Sequence, residues 1–128
     1  MRLTCLFIAD IEEKGRAVFT NEPIAAGTII ESSPVIVMSA DERKLLDQTL
    51  LHDYIFEWGP KHDECALALG WISIYNHSYS SNAEYFMDFD SSMMMIKTVH
   101  EISAGEEITI NYNGEWNDEK KVWFDVKG

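Results

Sequence analysis

Apolar residues in this chain alternate over short stretches more often than they recur at helical spacing, which predicts many short strands. Residues 3–9 read as a first strand, and 16–20 as a second entered through Gly15. Asn21-Glu22-Pro23 and Ala26-Gly27 mark turns. Residues 28–38, rich in Ile and Val, predict two strands broken near Ser32-Ser33-Pro34. Ser39 with Glu42 three residues on has the spacing of a capping box, so a helix begins there. Leu45, Leu46, Leu50, Leu51 and Ile55 continue it with irregular helical spacing, up to Trp58-Gly59-Pro60. Residues 64–69 predict a helical turn before Gly70. Residues 83–88 and 93–99 predict a strand pair around Asp90-Ser91-Ser92, with Met93-Met94-Met95 alternating between core and surface. A turn at Ala104-Gly105 leads into a strand over 107–111, and Asn117 caps a short last helix reaching Phe124. Many short strands with few helices give a β-rich α+β fold.

The length of 128 residues predicts one domain spanning 1–128. No apolar run approaches the ~20 residues that cross a bilayer, so no membrane association is expected. The start, with one arginine and a short apolar stretch, lacks the features of a signal peptide, which predicts an intracellular protein. Cys5 and Cys65 are far apart and form no C-x-x-C, in keeping with a reducing compartment. The formal net charge of −12 argues against binding a phosphate backbone and suits a partner rich in Lys and Arg. The same charge would also keep an ordinary protein soluble.

Chemistry concentrates in two stretches: Tyr75-Asn76-His77-Ser78-Tyr79-Ser80-Ser81-Asn82, and Gly105-Glu106-Glu107-Ile108-Thr109-Ile110-Asn111-Tyr112. Asn76-His77-Ser78 matches a glycosylation acceptor, but that reading needs secretion. His77 beside Ser78 would make a poor nucleophile–base pair, and no G-x-S-x-G elbow exists. His52, His62, Cys65 and His100 have no recognised ligand spacing, so no metal site is expected. Taken alone, Tyr112 reads as a core tyrosine with a satisfied hydroxyl. Glu106 and Glu107, after a turn glycine, read as solvated or structural.

Together the stretches resemble the SET-domain protein-lysine methyltransferases, which carry Asn-His-Ser, a short gap and Asn, then Gly-Glu-Glu-Ile/Leu and a strand ending in Tyr. Gly15-Arg16-Ala17-Val18-Phe19 stands where that family has a Gly-x-Gly loop followed by an apolar pair. Asp53-Tyr54-Ile55-Phe56 and Ala68-Leu69-Gly70 add a likeness in layout to the minimal viral SET histone methyltransferases. The resemblance covers essentially the whole chain. It implies a β-clip-like fold of several small sheets with a threaded C-terminal segment, an exception to unthreaded topology. It implies S-adenosylmethionine as methyl donor and lysine in a basic protein tail, such as a histone, as acceptor. Tyr112 would be the catalytic tyrosine. Asn76, His77 (through its main chain), Gly15, Arg16 and Ala17 would hold the cofactor, with Trp116 stacking on its adenine, capping the lysine channel or packing the C-terminal tail. Tyr54, Ile110 and Tyr112 would line the lysine channel, with Tyr85 either channel or core. A homodimer is implied by the viral relatives alone. Ala17 departs from the family's second loop glycine, and Ser81 from the proline before Asn82. These departures leave an alternative: a weak or inactive SET-like module that binds a basic peptide.

Overall fold

The computed structural model describes residues 1–120, which form β1 (Leu6–Ile11), β2 (Gly15–Thr20), β3 (Ile29–Met38), α1 (Ala40–Leu46), β4 (Ile55–Trp58), β5 (Glu64–Ala68), β6 (Asn76–His77), β7 (Ala83–Asp88), β8 (Met93–Thr98) and β9 (Glu107–Ile110). β1 and β2 make a hairpin, and β2 passes on to β9 with Val18 opposite Ile108. β9 takes β6 beside it in parallel and touches β7 where Ile110 faces Ala83. β7, β8 and β3 follow in antiparallel order, then β5 and β4. Period-two alternation sets the core. Met94 and Ile96 of β8 are wholly buried while Lys97 is exposed, and Ile108 and Ile110 of β9 meet them with Val18, Ile30, Ile72 and Tyr75. The β-rich α+β arrangement of many short strands expected from the sequence is the observed one.

Three local expectations fail, two of them because pairing partners outweigh local pattern. Residues 29–38 form one strand rather than two. β3 pairs with β8 as far as Pro34, then with β5 from Val35, and a bulge lies between Ile29 and Glu31. Pro34 therefore marks an exchange of neighbours, not a break. Residues 64–68 form a strand instead of a helical turn, because Cys65, Ala66 and Ala68 are buried between β3 and β4. The helix expected to continue towards Ile55 stops at Leu46. Its capping box is present, with Ser39 Oγ accepting from Glu42 N (3.2 Å) and Glu42 Oε1 accepting from Ser39 N (3.0 Å). No α1 residue is buried, however, so no apolar stripe carries it further. Leu50–Asp53 form a 3-10 turn, and Ile55 starts β4. Residues 117–120 are turn and irregular chain, and the remainder of the predicted last helix lies outside the described residues. Among the described residues no helix is long and apolar enough to cross a membrane.

Ser81 is wholly buried, and its main-chain N–H donates to Trp116 O (3.0 Å). Its hydroxyl donates to Ala83 O (2.9 Å) and Trp116 O (3.3 Å). A proline here has no N–H to offer. We therefore expect Ser81→Pro, the residue typical of the resembling family, to destabilise this chain by about 1–3 kcal/mol through unsatisfied carbonyls. Thermal unfolding checks it; an unchanged or raised midpoint would show that these bonds contribute nothing.

Candidate active site

Tyr112 follows β9 and is held at both ends. Its main-chain N–H donates to His77 Nδ1 (2.9 Å), and its hydroxyl donates to Tyr75 O (2.8 Å). Because Nδ1 accepts, the His77 ring is neutral and carries its proton on Nε2. Burial agrees, pushing the imidazole below its ordinary pKa of 6.5. The His77 ring lies between Tyr79 (4.6 Å, edge-on) and Tyr112 (5.1 Å). Burial, aided by Tyr54, Glu107 and Asp53, pushes the Tyr112 phenol up to about 12. It is a neutral hydroxyl at physiological pH, not a base. Tyr85 Oη donates to Tyr112 O (3.2 Å), and its own phenol is likewise pushed up to about 12 by burial and by Glu57.

Asn76 stands on the other side of the same short strand. Its Nδ2 donates to Glu107 Oε2 (2.9 Å) and to Arg16 O (3.3 Å), and Lys14 Nζ binds Glu107 Oε1 (3.2 Å). The Nδ2 end of the amide is thereby engaged, leaving Oδ1 as its acceptor. Glu107 thus orients Asn76, a role the Gly-Glu-Glu-Ile lead-in did not reveal, since its partner is thirty-one residues away. Asn82 closes the motif read from the sequence, which gave it no role. Its Oδ1 accepts from Thr109 N and its Nδ2 donates to Glu107 O, both at 2.9 Å, which clamps the loop onto β9.

Tyr54, Phe56, Tyr85 and Tyr112 line a cleft of about 750 Å³, with Tyr75 buried behind its wall and the exposed carboxylates of Asp47, Asp53 and Glu57 on its border. Tyr54, at the end of the 3-10 turn, is positioned by Ser73 Oγ donating to its carbonyl (3.0 Å). The Phe56 and Tyr85 rings pack at 5.3 Å. Asp47 meets His52 (3.0 Å), and Glu57 meets Arg43 (3.2 Å). Arg43 and Lys120 also line it, so a cation entering this cleft finds aromatic walls and a mixed border in which the carboxylates of Asp47, Asp53, Glu57 and Asp118 outnumber those two cations.

Other sequence candidates are distributed around this centre. Gly15 needs its glycine, with φ +79°, and a Cβ there would meet nothing within 4 Å. Arg16 is exposed, and its carbonyl meets Asn76. Ala17 is wholly buried in β2 opposite Ala9 and has no positive φ, so alanine fits without strain. Ile110 is wholly buried opposite His77 and does not border the cleft. The half-buried Trp116 ring packs edge-on against His100 (4.6 Å), also outside the cleft. Among the described residues no group of three or more His, Cys, Asp or Glu side chains is arranged to hold a metal ion.

Residues 15–113 match the SET-domain family model. The chain belongs to the SET-domain family. It is 36% identical over 121 residues to the Schizosaccharomyces pombe histone-lysine N-methyltransferase specific for H3 lysine 37, a match covering 94% of this SET chain and 77% of that relative. A candidate histone methyltransferase from Plasmodium falciparum superposes with TM-score 0.67 at 27% identity, covering 89% of this chain and 97% of the other. A humanised mutant of the Chaetomium thermophilum Polycomb Repressive Complex 2, bound to the inhibitor GSK126, superposes with TM-score 0.68 at 18% identity over 87% of this chain and 15% of that one, a likeness of fold alone.

The imidazole of His77 carries two expectations. His77→Ala should lower turnover by about ten- to a hundredfold through misplacement of Tyr112, measured against cofactor affinity by calorimetry; equal turnover would leave the ring without that role. The pH dependence follows from the depressed pKa. The stability from a neutral His77 is intact above pH 6.5 and declines as pH falls from 6.5 towards the lower folded value, because the unfolded chain binds the proton first. Between pH 7.5 and 5.5 the thermal midpoint of the parent should therefore fall relative to that of His77→Asn; parallel curves would contradict this.

Proposed function

We propose that this SET domain transfers methyl groups from S-adenosylmethionine to the side-chain amine of lysine in a basic protein tail, a histone tail being the first substrate class to try. Its family, and a 36% identical relative that is a histone-lysine N-methyltransferase, make it a protein-lysine methyltransferase rather than a passive peptide-binding module. One observation carries the assignment to this site: a neutral Tyr112 hydroxyl, fixed by the Tyr75 carbonyl, opens on a tyrosine-lined cleft with an acidic border.

The residues around Asn76 fit the amino-acid end of the cofactor. Asn76 Oδ1 is an acceptor suited to an ammonium group, and the exposed Arg16 guanidinium suits a carboxylate. The open glycine turn at Gly15 lets main chain approach closely. Trp116 offers an aromatic face for the adenine. When bound, S-adenosylmethionine supplies an activated methyl group with a good leaving group.

The chain's own residues prepare the acceptor. A lysine amine, with a pKa of about 10.4 in water, must be uncharged before it can attack. The aromatic walls of Tyr54, Phe56 and Tyr85 remove water and disfavour the ammonium form. Tyr112 takes no proton in this scheme. Having given its own hydrogen to Tyr75 O, its oxygen accepts an N–H of the amine and holds the lone pair in line. Tyr75 lies buried behind the cleft wall and Asn76 follows it directly, so acceptor and donor sides are joined by one peptide. Acceleration comes from that positioning.

An assay with labelled S-adenosylmethionine and histone H3, followed by mass spectrometry of the modified lysines, tests the reading. Tyr112→Phe should keep cofactor affinity and lose about a hundredfold or more in turnover; an undiminished rate would remove Tyr112 from the chemistry. Raising salt should raise KM for the peptide, because exposed carboxylates are screened over about 8 Å at physiological ionic strength. A flat response would remove the acidic border as a substrate guide.

A further inference from the structure

Glu31 lies wholly buried in β3, outside the cleft, and the structure satisfies its carboxylate with three donors. Ser33 Oγ (2.9 Å) and Trp71 N (2.7 Å) donate to Oε2, and Tyr75 Oη (2.8 Å) donates to Oε1. Gly70 makes room for it: a Cβ there would collide with Glu31 Oε2 and Ser33 Oγ, and its φ of +65° also favours glycine. The Arg2 guanidinium stacks over the Trp71 ring (3.6 Å) at the border of this cluster. A buried carboxylate is a poor source of stability, because desolvation offsets what its partners return. Its position next to Tyr75 gives it another use.

Tyr75 is wholly buried and is gripped twice. At the ring end, its hydroxyl binds Glu31. At the main-chain end, its carbonyl accepts the hydroxyl of Tyr112 (2.8 Å). The residue leaves a 3-10 turn (Ile72–Ile74) with φ −59° and ψ 128°, a conformation that packing and the ring anchor hold. Burial and Glu31 raise the Tyr75 phenol well above its usual range, so it remains a donor to Glu31 throughout the working pH range.

We propose that Glu31 is a positioning residue for methyl transfer: by gripping the Tyr75 hydroxyl it fixes the peptide plane whose carbonyl orients the Tyr112 hydroxyl. This rests on the reading that Tyr112 meets the substrate amine. Glu31 itself touches neither substrate nor cofactor. Its influence reaches the reacting atoms through one side chain and two hydrogen bonds.

Tyr75→Phe is the cleanest test, since it removes one oxygen and leaves both the ring packing and the Tyr75 carbonyl. Single-turnover rates, peptide KM, cofactor affinity and thermal midpoint are compared for the parent, Tyr75→Phe, Tyr112→Phe and the double variant, all well below their midpoints. The expected result is a fall in rate of at least fivefold for Tyr75→Phe, with KM and cofactor affinity within twofold of the parent. In the Tyr112→Phe background, where no hydroxyl is left to orient, the same change should cost less than twofold. Glu31→Gln should shift the rate in the same direction by a smaller factor, because one amide oxygen still accepts. A Tyr75→Phe enzyme with a lowered midpoint but full rate overturns the proposal, as does a loss that multiplies fully with that of Tyr112→Phe. A crippled Tyr112→Phe beside a fully active Tyr75→Phe refutes the role of Glu31 alone. A fully active Tyr112→Phe overturns the reading of the site and this proposal with it.

Discussion

Asn76 and His77 lie in parallel beside Thr109 and Ile110, and the geometry of the whole site hangs on that two-residue contact. Parallel pairing is slightly weaker per residue than antiparallel, and two residues are too few to hold register unaided. Side chains complete what the ladder lacks. Asn82 brackets β9 through Thr109 N and Glu107 O, Ser78 N donates to Ile110 O, and His77 Nδ1 takes the next main-chain N–H, that of Tyr112. Three residues of one loop, His77, Ser78 and Asn82, thus substitute for the missing length of strand. A polar loop can do this because the bonds are partly buried and so costly to leave unmade.

The same arrangement explains which parts of the site were legible in the sequence. Asn76-His77-Ser78 and Gly105 through Tyr112 are contiguous motifs, and their spacing pointed to residues that the fold does bring together. Tyr54 also falls on the cleft, as expected from its short segment. What escaped were the residues whose roles depend on a partner far along the chain. Glu107 reads as a surface acid until Asn76 and Lys14 are seen around it. Glu31 sits in a strand whose alternation says only that one face is buried, and its partners lie at 33, 71 and 75. For His77, the likeness emphasised the main chain, whereas in the structure the imidazole holds Tyr112.

The fold was legible to a similar depth. Strands with clean alternation, such as 83–88 and 93–98, lie where the pattern put them. Residues 64–68 and 55–58 were misread as helical because short, largely apolar runs fit either period. Pairing decides the outcome: residues 64–68 lie between β3 and β4, and residues 55–58 pair with β5 as the edge strand. Pro34 misled in the opposite sense. It looks like a breaker, but proline is tolerated where a strand changes partners, and its carbonyl still accepts from Leu69 N (3.0 Å).

The two departures from the family pattern show how local physics decides what a position requires. Ala17 is harmless because its φ is not positive and it sits wholly buried in the β1–β2 hairpin opposite Ala9. Ser81 goes further: its N–H and hydroxyl tie the loop to Trp116 O and so draw the C-terminal segment against the Asn76 side of the site. Asn111, wholly buried, continues the same tie by donating to the carbonyls of Trp116 (3.4 Å) and Asp118 (2.7 Å). A proline would stiffen the loop locally but remove a cross-link between segments thirty-five residues apart. In this chain the serine therefore serves the constraint the site needs most, which is contact between two remote stretches rather than rigidity within one.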